Sequence, residues 1–263
     1  MTNIIETGFK ALAILSIVFL LGFLIKSAMG GGHHGFPLQH ADINIANKAS
    51  LQRGYKYVTN YCLSCHAASY SRYNRVGRDL GISDDQLKEN LIFTSNERGE
   101  QSKVGDLMKV AISKTYAKEA FGTVPPDLSL LTRSRGVDWV YTYLKSFYLD
   151  ESRPFGVNNL VFPDVGMPHV LWDLQGWQEK RTHVEDDGHG HEHETVSLEL
   201  VEQGSKTPAE YDQIIRDITN FMAYLGEPAQ QKRKTIGFIV LLFLVIFFVA
   251  AYFLKKEYWK DVH

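Results

Sequence analysis

The sequence predicts a mainly α protein with long loops and one β-hairpin insert, carried on a C-terminal transmembrane helix. Three observations predict it. Apolar residues recur at helical spacing in several separate stretches, one stretch near residue 200 alternates at strand spacing, and Ile236 to Leu254 runs nineteen residues without a charge.

Taken in order, the first element is Ala11 to Ile25, a fifteen-residue apolar run behind Lys10. As a helix it reaches about 22 Å, the length of a signal-peptide core and short of a bilayer of about 30 Å. Lys26 follows directly, and Ala28-Met29-Gly30 is a loose small-x-small match. Two readings of residues 1–30 therefore stand, a cleaved signal sequence and an uncleaved N-terminal membrane segment, and both export the chain downstream of it. Gly30 to Gly35 reads as a flexible lead-in.

From Asn47 to Tyr61, Leu51, Tyr55 and Val58 share a helical face that runs into Cys62. Ser83 and Gln86 form a capping box for a short helix through Leu87 and Leu91, and a further short helix is expected from Asp106 to Glu119. Val137, Val140, Leu144, Phe147 and Tyr148 mark an amphipathic helix. Arg153 to Gly176, with Pro154, Pro163, Pro168 and several glycines, reads as a long irregular loop of the kind that carries function. Val196, Leu198 and Leu200 alternate within Thr195 to Val201, and Gln178 to Val184 is the expected partner across Asp187-Gly188. The last globular helix has Thr207 as cap, Pro208 at its first position and Glu210 closing the box. Tyr211, Ile214, Ile215, Ile218, Phe221, Met222 and Leu225 form its stripe, and Gly226 and Pro228 end it.

Ile236 to Leu254 would span about 28 Å as a helix, and its fifteen Leu, Ile, Val and Phe residues favour insertion by about 5–9 kcal/mol. Lys232, Arg233 and Lys234 precede it while Lys255, Lys256 and Lys260 follow, so flanking charge does not orient it. Among the 263 residues, 28 Lys and Arg face 30 Asp and Glu. That balance leaves no electrostatic footprint for nucleic acid.

The chain has two cysteines, both in Cys62-Leu63-Ser64-Cys65-His66. This C-x-x-C-H spacing places two thiols where they reach the two vinyl groups on one porphyrin edge, and holds the adjacent histidine under the iron. One covalent haem c is the cofactor predicted. A thioredoxin-type motif needs a helix beginning at the first cysteine, whereas a helical pattern precedes this one. A structural zinc site needs four ligands, and no second cysteine pair exists.

The sixth iron position is sought among five methionines. Met1 and Met29 belong to the export segment, Met222 to a core stripe and Met108 to an expected helix. Met167 remains, between Gly166 and Pro168 on the long loop, with His169 as the competing ligand.

Several blocks in order make the chain resemble bacterial cytochrome c1 from about Asn47 onward. They are Arg53-Gly54-Tyr55, the haem motif, Tyr73-Asn74-Arg75, Val124-Pro125-Pro126-Asp127-Leu128-Ser129-Leu130, Arg133-Ser134-Arg135-Gly136, Gly166-Met167-Pro168, and Glu227-Pro228 before one membrane helix. The resemblance implies a class I cytochrome c-like helical haem domain over residues 31–231 on the periplasmic side, an anchor at 236–254 and a cytoplasmic tail at 255–263. It implies that Cys62 and Cys65 hold the haem, that His66 and Met167 ligate it, that Arg135 meets a propionate, and that Pro125 and Pro126 line the haem edge. Read from the residues alone, Arg135 is a solvated charge at a helix end. The family has a tyrosine near Trp139.

The implied function is the electron-transfer subunit of a dimeric cytochrome bc1 complex in the inner membrane. It would take one electron from the Rieske iron-sulfur protein, beside the cytochrome b subunit, and pass it to a cytochrome c. Such a subunit makes and breaks no bond by itself. The acidic clusters Asp84-Asp85-Glu89 and Asp150-Glu151 are either solvated surface or a guide for a basic cytochrome c. Two alternatives stay open, another anchored monohaem cytochrome c feeding an oxidase and a tethered metal-binding or thiol protein. Thr182 to Glu194, with His183, His189, His191 and His193, lies outside the family pattern and reads as a hydrophilic hairpin tip or a metal site.

Overall fold

Asn47 accepts the Ser50 amide through its side chain and so opens helix α1, Lys48–Tyr61, on which Leu51, Tyr55 and Val58 are buried as the sequence periodicity requires. The computed structural model describes residues 36–95, 98–110, 112–186 and 192–260, with the backbone alone at 184–186 and 192–194. The chain divides into two units, Met1–Pro37 and Leu38–His263, and the elements named here lie in the second. The expected N-terminal apolar segment, the glycine-rich lead-in, and His189 and His191 of the hairpin tip lie outside the described residues.

Helix α8, Pro208–Gly226, carries the full capping box, with Thr207 accepting the Glu210 amide and Glu210 accepting the Thr207 amide. The globular core is built where α1 and α8 cross. A Cβ on Gly54 would lie 2.0 Å from the Asp217 carbonyl oxygen, so only glycine lets the two backbones meet. On either side of that contact, Tyr55 stacks on Phe221 at 4.9 Å between ring centroids, and Arg53 donates twice to the buried Asp217 carboxylate at 2.6 and 2.9 Å. Ser50 Oγ donates to the same carboxylate at 2.7 Å. Arg53-Gly54-Tyr55 is therefore a helix-crossing device, combining one close approach, one ring stack and one satisfied buried charge.

Between the two long helices run β1 (Ala68–Arg72), α2 (Tyr73–Leu80), α3 (Asp84–Asn90), β2 (Leu107–Met108), α4 (Lys114–Phe121), α5 (Leu131–Arg135), α6 (Val137–Lys145), β3 (Phe147–Leu149), β4 (Val157–Asn159), α7 (Trp172–Gln175), β5 (Gly176–Asp186) and β6 (Glu192–Gln203). The strands pair as antiparallel ribbons, β1 with β2, β3 with β4 and β5 with β6. The mainly α class with a hairpin insert stands. The Ser83–Gln86 box opens α3 as expected, and β5 and β6 pair Gln178 with Leu200 and Thr182 with Val196, extending the expected hairpin at both ends.

Three expectations are corrected. The helix expected from Asp106 to Glu119 begins only at Lys114, because Met108 pairs with Ala68 across the β1–β2 ribbon and is buried there, and Ser113 then caps a fresh helix. Phe147 and Tyr148 leave the stripe of α6 and form β3. Ser146 Oγ bonds back to the Thr142 carbonyl at 2.5 Å, and Phe147 reaches burial by pairing with Asn159. The loop from Arg153 to Gly176 is not wholly irregular, since it contains β4 and the short turn of α7.

After Gly226, Glu227 pairs with Arg233 and, at 4.0 Å, with Arg133. Helix α9, Gln230–Tyr258, comes next, about 43 Å long at 1.5 Å per residue. It has no buried residue and is, among the described residues, the one helix long and apolar enough to cross a membrane. With mean hydropathy of 3.0 in its apolar window and no part of that window buried among the described residues, it suits lipid as its solvent.

Candidate functional site

Helix α1 ends in the C-x-x-C-H motif. Cys62 is its C-cap, donating its amide to the Val58 carbonyl, and the amides of Cys65 and His66 both donate to the Cys62 carbonyl at 3.1 and 2.8 Å. The motif is thus one tight turn that presents both thiols and the imidazole together. A redox-active C-x-x-C has the opposite polarity, with its first cysteine at a helix N-terminus where the dipole favours thiolate. Here burial, reinforced by Cys65, pushes the Cys62 thiol up to about 12, and no disulfide joins the two cysteines.

Cys62, Cys65, His66, Pro126, Arg135 and Met167, drawn from four separate stretches of sequence, all line one cavity of about 570 Å³. That volume lies within the range of cofactor pockets. The Pro-Pro-Asp-Leu-Ser block docks against the haem motif as backbone: the Leu128 amide donates to the Ala67 carbonyl at 2.8 Å, and Asp127 accepts the amides of Ser69 and Ser129. Partial burial pushes the Asp127 carboxyl up, but the hydrogen bonds from Ser129 and Ser69 outweigh it and hold the group below its ordinary value. The block thereby brings the Pro126 carbonyl to 2.7 Å from His66 Nδ1. Nδ1–H donates to that carbonyl, which fixes the tautomer and leaves Nε2 with its lone pair free for a metal. Burial pushes the His66 imidazole below its ordinary value, only partly offset by the Pro126 bond, and so favours the neutral form.

Met167 reaches the cavity from a loop pinned by side chains of β4 and its flank. Asn158 Oδ1 accepts the Asp164 amide, Asn159 Oδ1 accepts those of Val161 and Phe162, and Arg153 binds the Asp164 carboxylate at 2.8 Å. Gly166 lets this loop close on its neighbours, because a Cβ there would lie 3.1 Å from Thr123 and 3.2 Å from the Phe121 carbonyl. His169, the competing ligand, does not line the cavity. It is buried face to face with Phe147 at 5.0 Å and edge-on to Trp177 at 5.9 Å, and burial pushes its imidazole down to about 4. Met222 does border the cavity, while Met108 lies in the core away from it.

Arg135 is exposed at the cavity, with its guanidinium 5.3 Å over the Trp139 ring and no ion-pair partner among the described residues. It is available to an anionic group. Arg133 turns instead to Glu227. Two further lining residues had no role assigned from the sequence. Trp139 and Tyr143, one helical turn apart on α6, stack at 5.0 Å, and the Tyr143 hydroxyl donates to Met167 Sδ at 3.3 Å. The i, i+4 aromatic spacing was a signal for the stack, but nothing local pointed Tyr143 at residue 167.

Comparison with known proteins agrees with this geometry. Residues 40–262 match the model of the Cytochrome C1 family. The chain is 53% identical to cytochrome c1 of Allochromatium vinosum over 95% of this chain and 98% of that protein. It is 46% identical to a protein named ammonia monooxygenase gamma subunit from Nitrosomonas europaea, over 86% and 89% of the two chains. It is 27% identical to the cytochrome b/c1 protein of Bradyrhizobium diazoefficiens, covering 82% of this chain and 34% of that one.

Proposed function

The chain belongs to the cytochrome c1 family, and from that premise we propose how its residues hold the family's haem and which partners they serve. The protein is the haem-carrying electron-transfer subunit of a bc1 complex containing a cytochrome b and a Rieske protein, and it carries one covalent haem c. Cys62 and Cys65 form the two thioether links. His66 Nε2, oriented by the Pro126 carbonyl, and Met167 Sδ would ligate the iron. Arg135 meets a propionate at the cavity rim. When bound, the haem supplies a reversible one-electron couple, with thioether ligation favouring the reduced iron.

The protein's part is to exclude water and orient ligands. Pro125, Pro126, Trp139 and Phe162, all lining the cavity, present apolar surface that disfavours water there. The chain takes its electron from the Rieske subunit and passes it to a cytochrome c, within a dimeric complex of the inner membrane. The haem domain faces the periplasm, anchored by 236–254, with the tail from 255 in the cytoplasm.

The observation that carries this reading is the meeting of both thiols, a His66 with its Nδ1 already engaged, and Met167 around one cavity. Its test is isolation of the full chain from membranes in detergent. A cytochrome b and a Rieske protein should come with it, and added quinol should reduce the covalent haem. Haem that dithionite reduces but quinol never does, in a preparation lacking those two subunits, overturns the assignment.

A further inference from the structure

The Tyr143 hydroxyl has no role in holding the haem as described above, yet among the described residues it donates to the thioether of Met167, 3.3 Å away. Its ring cannot turn away. It lies flat against Trp139 at 5.0 Å, 9° between planes, and edge-on against Phe147 at 5.2 Å. The Tyr143 carbonyl accepts Asn159 Nδ2 at 2.8 Å, and Asn159 also accepts the amides of Val161 and Phe162 at the start of the Met167 loop. Donor and acceptor are thus held by one scaffold, α6 on one side and the β4 loop on the other.

A thioether sulfur has two lone pairs, and a metal takes one. Resting on the reading of Met167 as iron ligand, we propose that Tyr143 is a positioning residue whose hydroxyl donates to the other lone pair of Met167. The bond selects which lone pair is presented to iron. It also draws electron density from the sulfur, which destabilises the ferric state relative to the ferrous and raises the reduction potential. Tyr141, two residues earlier, gives its hydroxyl to Asp212 instead and serves as the internal comparison.

The experiment uses the full haem-loaded chain in detergent, with the potential read by equilibrium titration and the ferric sulfur-to-iron charge-transfer band read by absorption. Tyr143→Phe keeps the ring stack and should lower the potential at unchanged haem content. 3-Fluorotyrosine at 143, a stronger donor of the same shape, should raise it. Tyr141→Phe should leave it where it was. A packing role would move the two Tyr143 variants in one direction or neither, and either result overturns the proposal. Should Tyr143→Phe fail to accumulate, the fluorotyrosine variant decides alone. The underlying reading fails separately: a wild-type protein without the sulfur band, or a Met167→Leu variant that keeps it, removes Met167 as ligand and this role with it. A band that Met167→Leu abolishes, together with an unmoved potential in Tyr143→Phe, removes Tyr143 only.

Discussion

Met167 and Met222 both border the cavity lined by the C-x-x-C-H motif, yet their surroundings differ in kind. Met222 lies on the buried stripe of α8, fixed by helix packing, whereas Met167 sits in a loop shaped by Gly166 and Pro168 with its sulfur hydrogen-bonded. Changing Met167 to leucine keeps most of the volume and deletes the donor, so the fold should survive at a packing cost under about 1.5 kcal/mol. The ferric sulfur band should vanish, the potential should fall, and carbon monoxide should bind the reduced protein. Met222→Leu should do none of these. A Met167→Leu protein that keeps the wild-type potential and refuses carbon monoxide would falsify the ligand assignment.

At the scale of elements, the crossing of α1 on α8 fixes where the haem motif stands, because Cys62 caps the C-terminal end of α1. A methyl group at Gly54 would meet backbone, not a yielding side chain. Gly54→Ala should therefore destabilise by about 1–3 kcal/mol or more, with haem attachment falling alongside, as urea unfolding and haem content would register. A variant as stable as wild type would mean the helices can separate without cost. A second junction joins α6 to α8, where Asp212 accepts Lys145 Nζ at 2.6 Å and the Tyr141 hydroxyl. Partial burial pushes the Asp212 carboxyl up, but Lys145 and Tyr141 outweigh it and hold it below its ordinary value. A group with a lowered folded pKa adds stability above its unfolded value, about 3.9 for aspartate, and loses it as pH falls through the folded value. Asp212→Asn should thus cost about 1–2 kcal/mol near neutral pH and progressively less as pH falls below about 4. Melting curves of the two proteins that stay equally separated across that range would refute the linkage.

For the whole molecule, the apolar run of α9 begins just beyond an ion pair between Glu227 and Arg233. The ion pair there ties the start of α9 to the end of α8, and α9 has no buried residue. A chain ended after Thr235 keeps that pair and omits the apolar run. Given a working export signal, it should yield a haem protein soluble without detergent and with the wild-type reduced spectrum. Loss of haem, or a detergent requirement that persists, would show that the helix does more than anchor.

The features legible in the sequence were those with a local period. The stripe of α1 and α8, the capping boxes at Ser83 and Thr207, the alternation of β6, the uncharged run within α9 and the turn of the haem motif each encode themselves within a few residues, because backbone geometry repeats at 3.6 or 2. What tertiary structure alone decided joins distant positions. Met108 and Phe147 took strand rather than helix, since a cross-strand partner offered burial with a different backbone. The carbonyl that orients His66 lies 60 residues away, and the hydroxyl on Met167 lies 24 residues away. No periodicity carries either pairing: every residue has a carbonyl, and which one reaches the imidazole is set only when the Pro-Pro-Asp-Leu-Ser block folds back onto the haem turn.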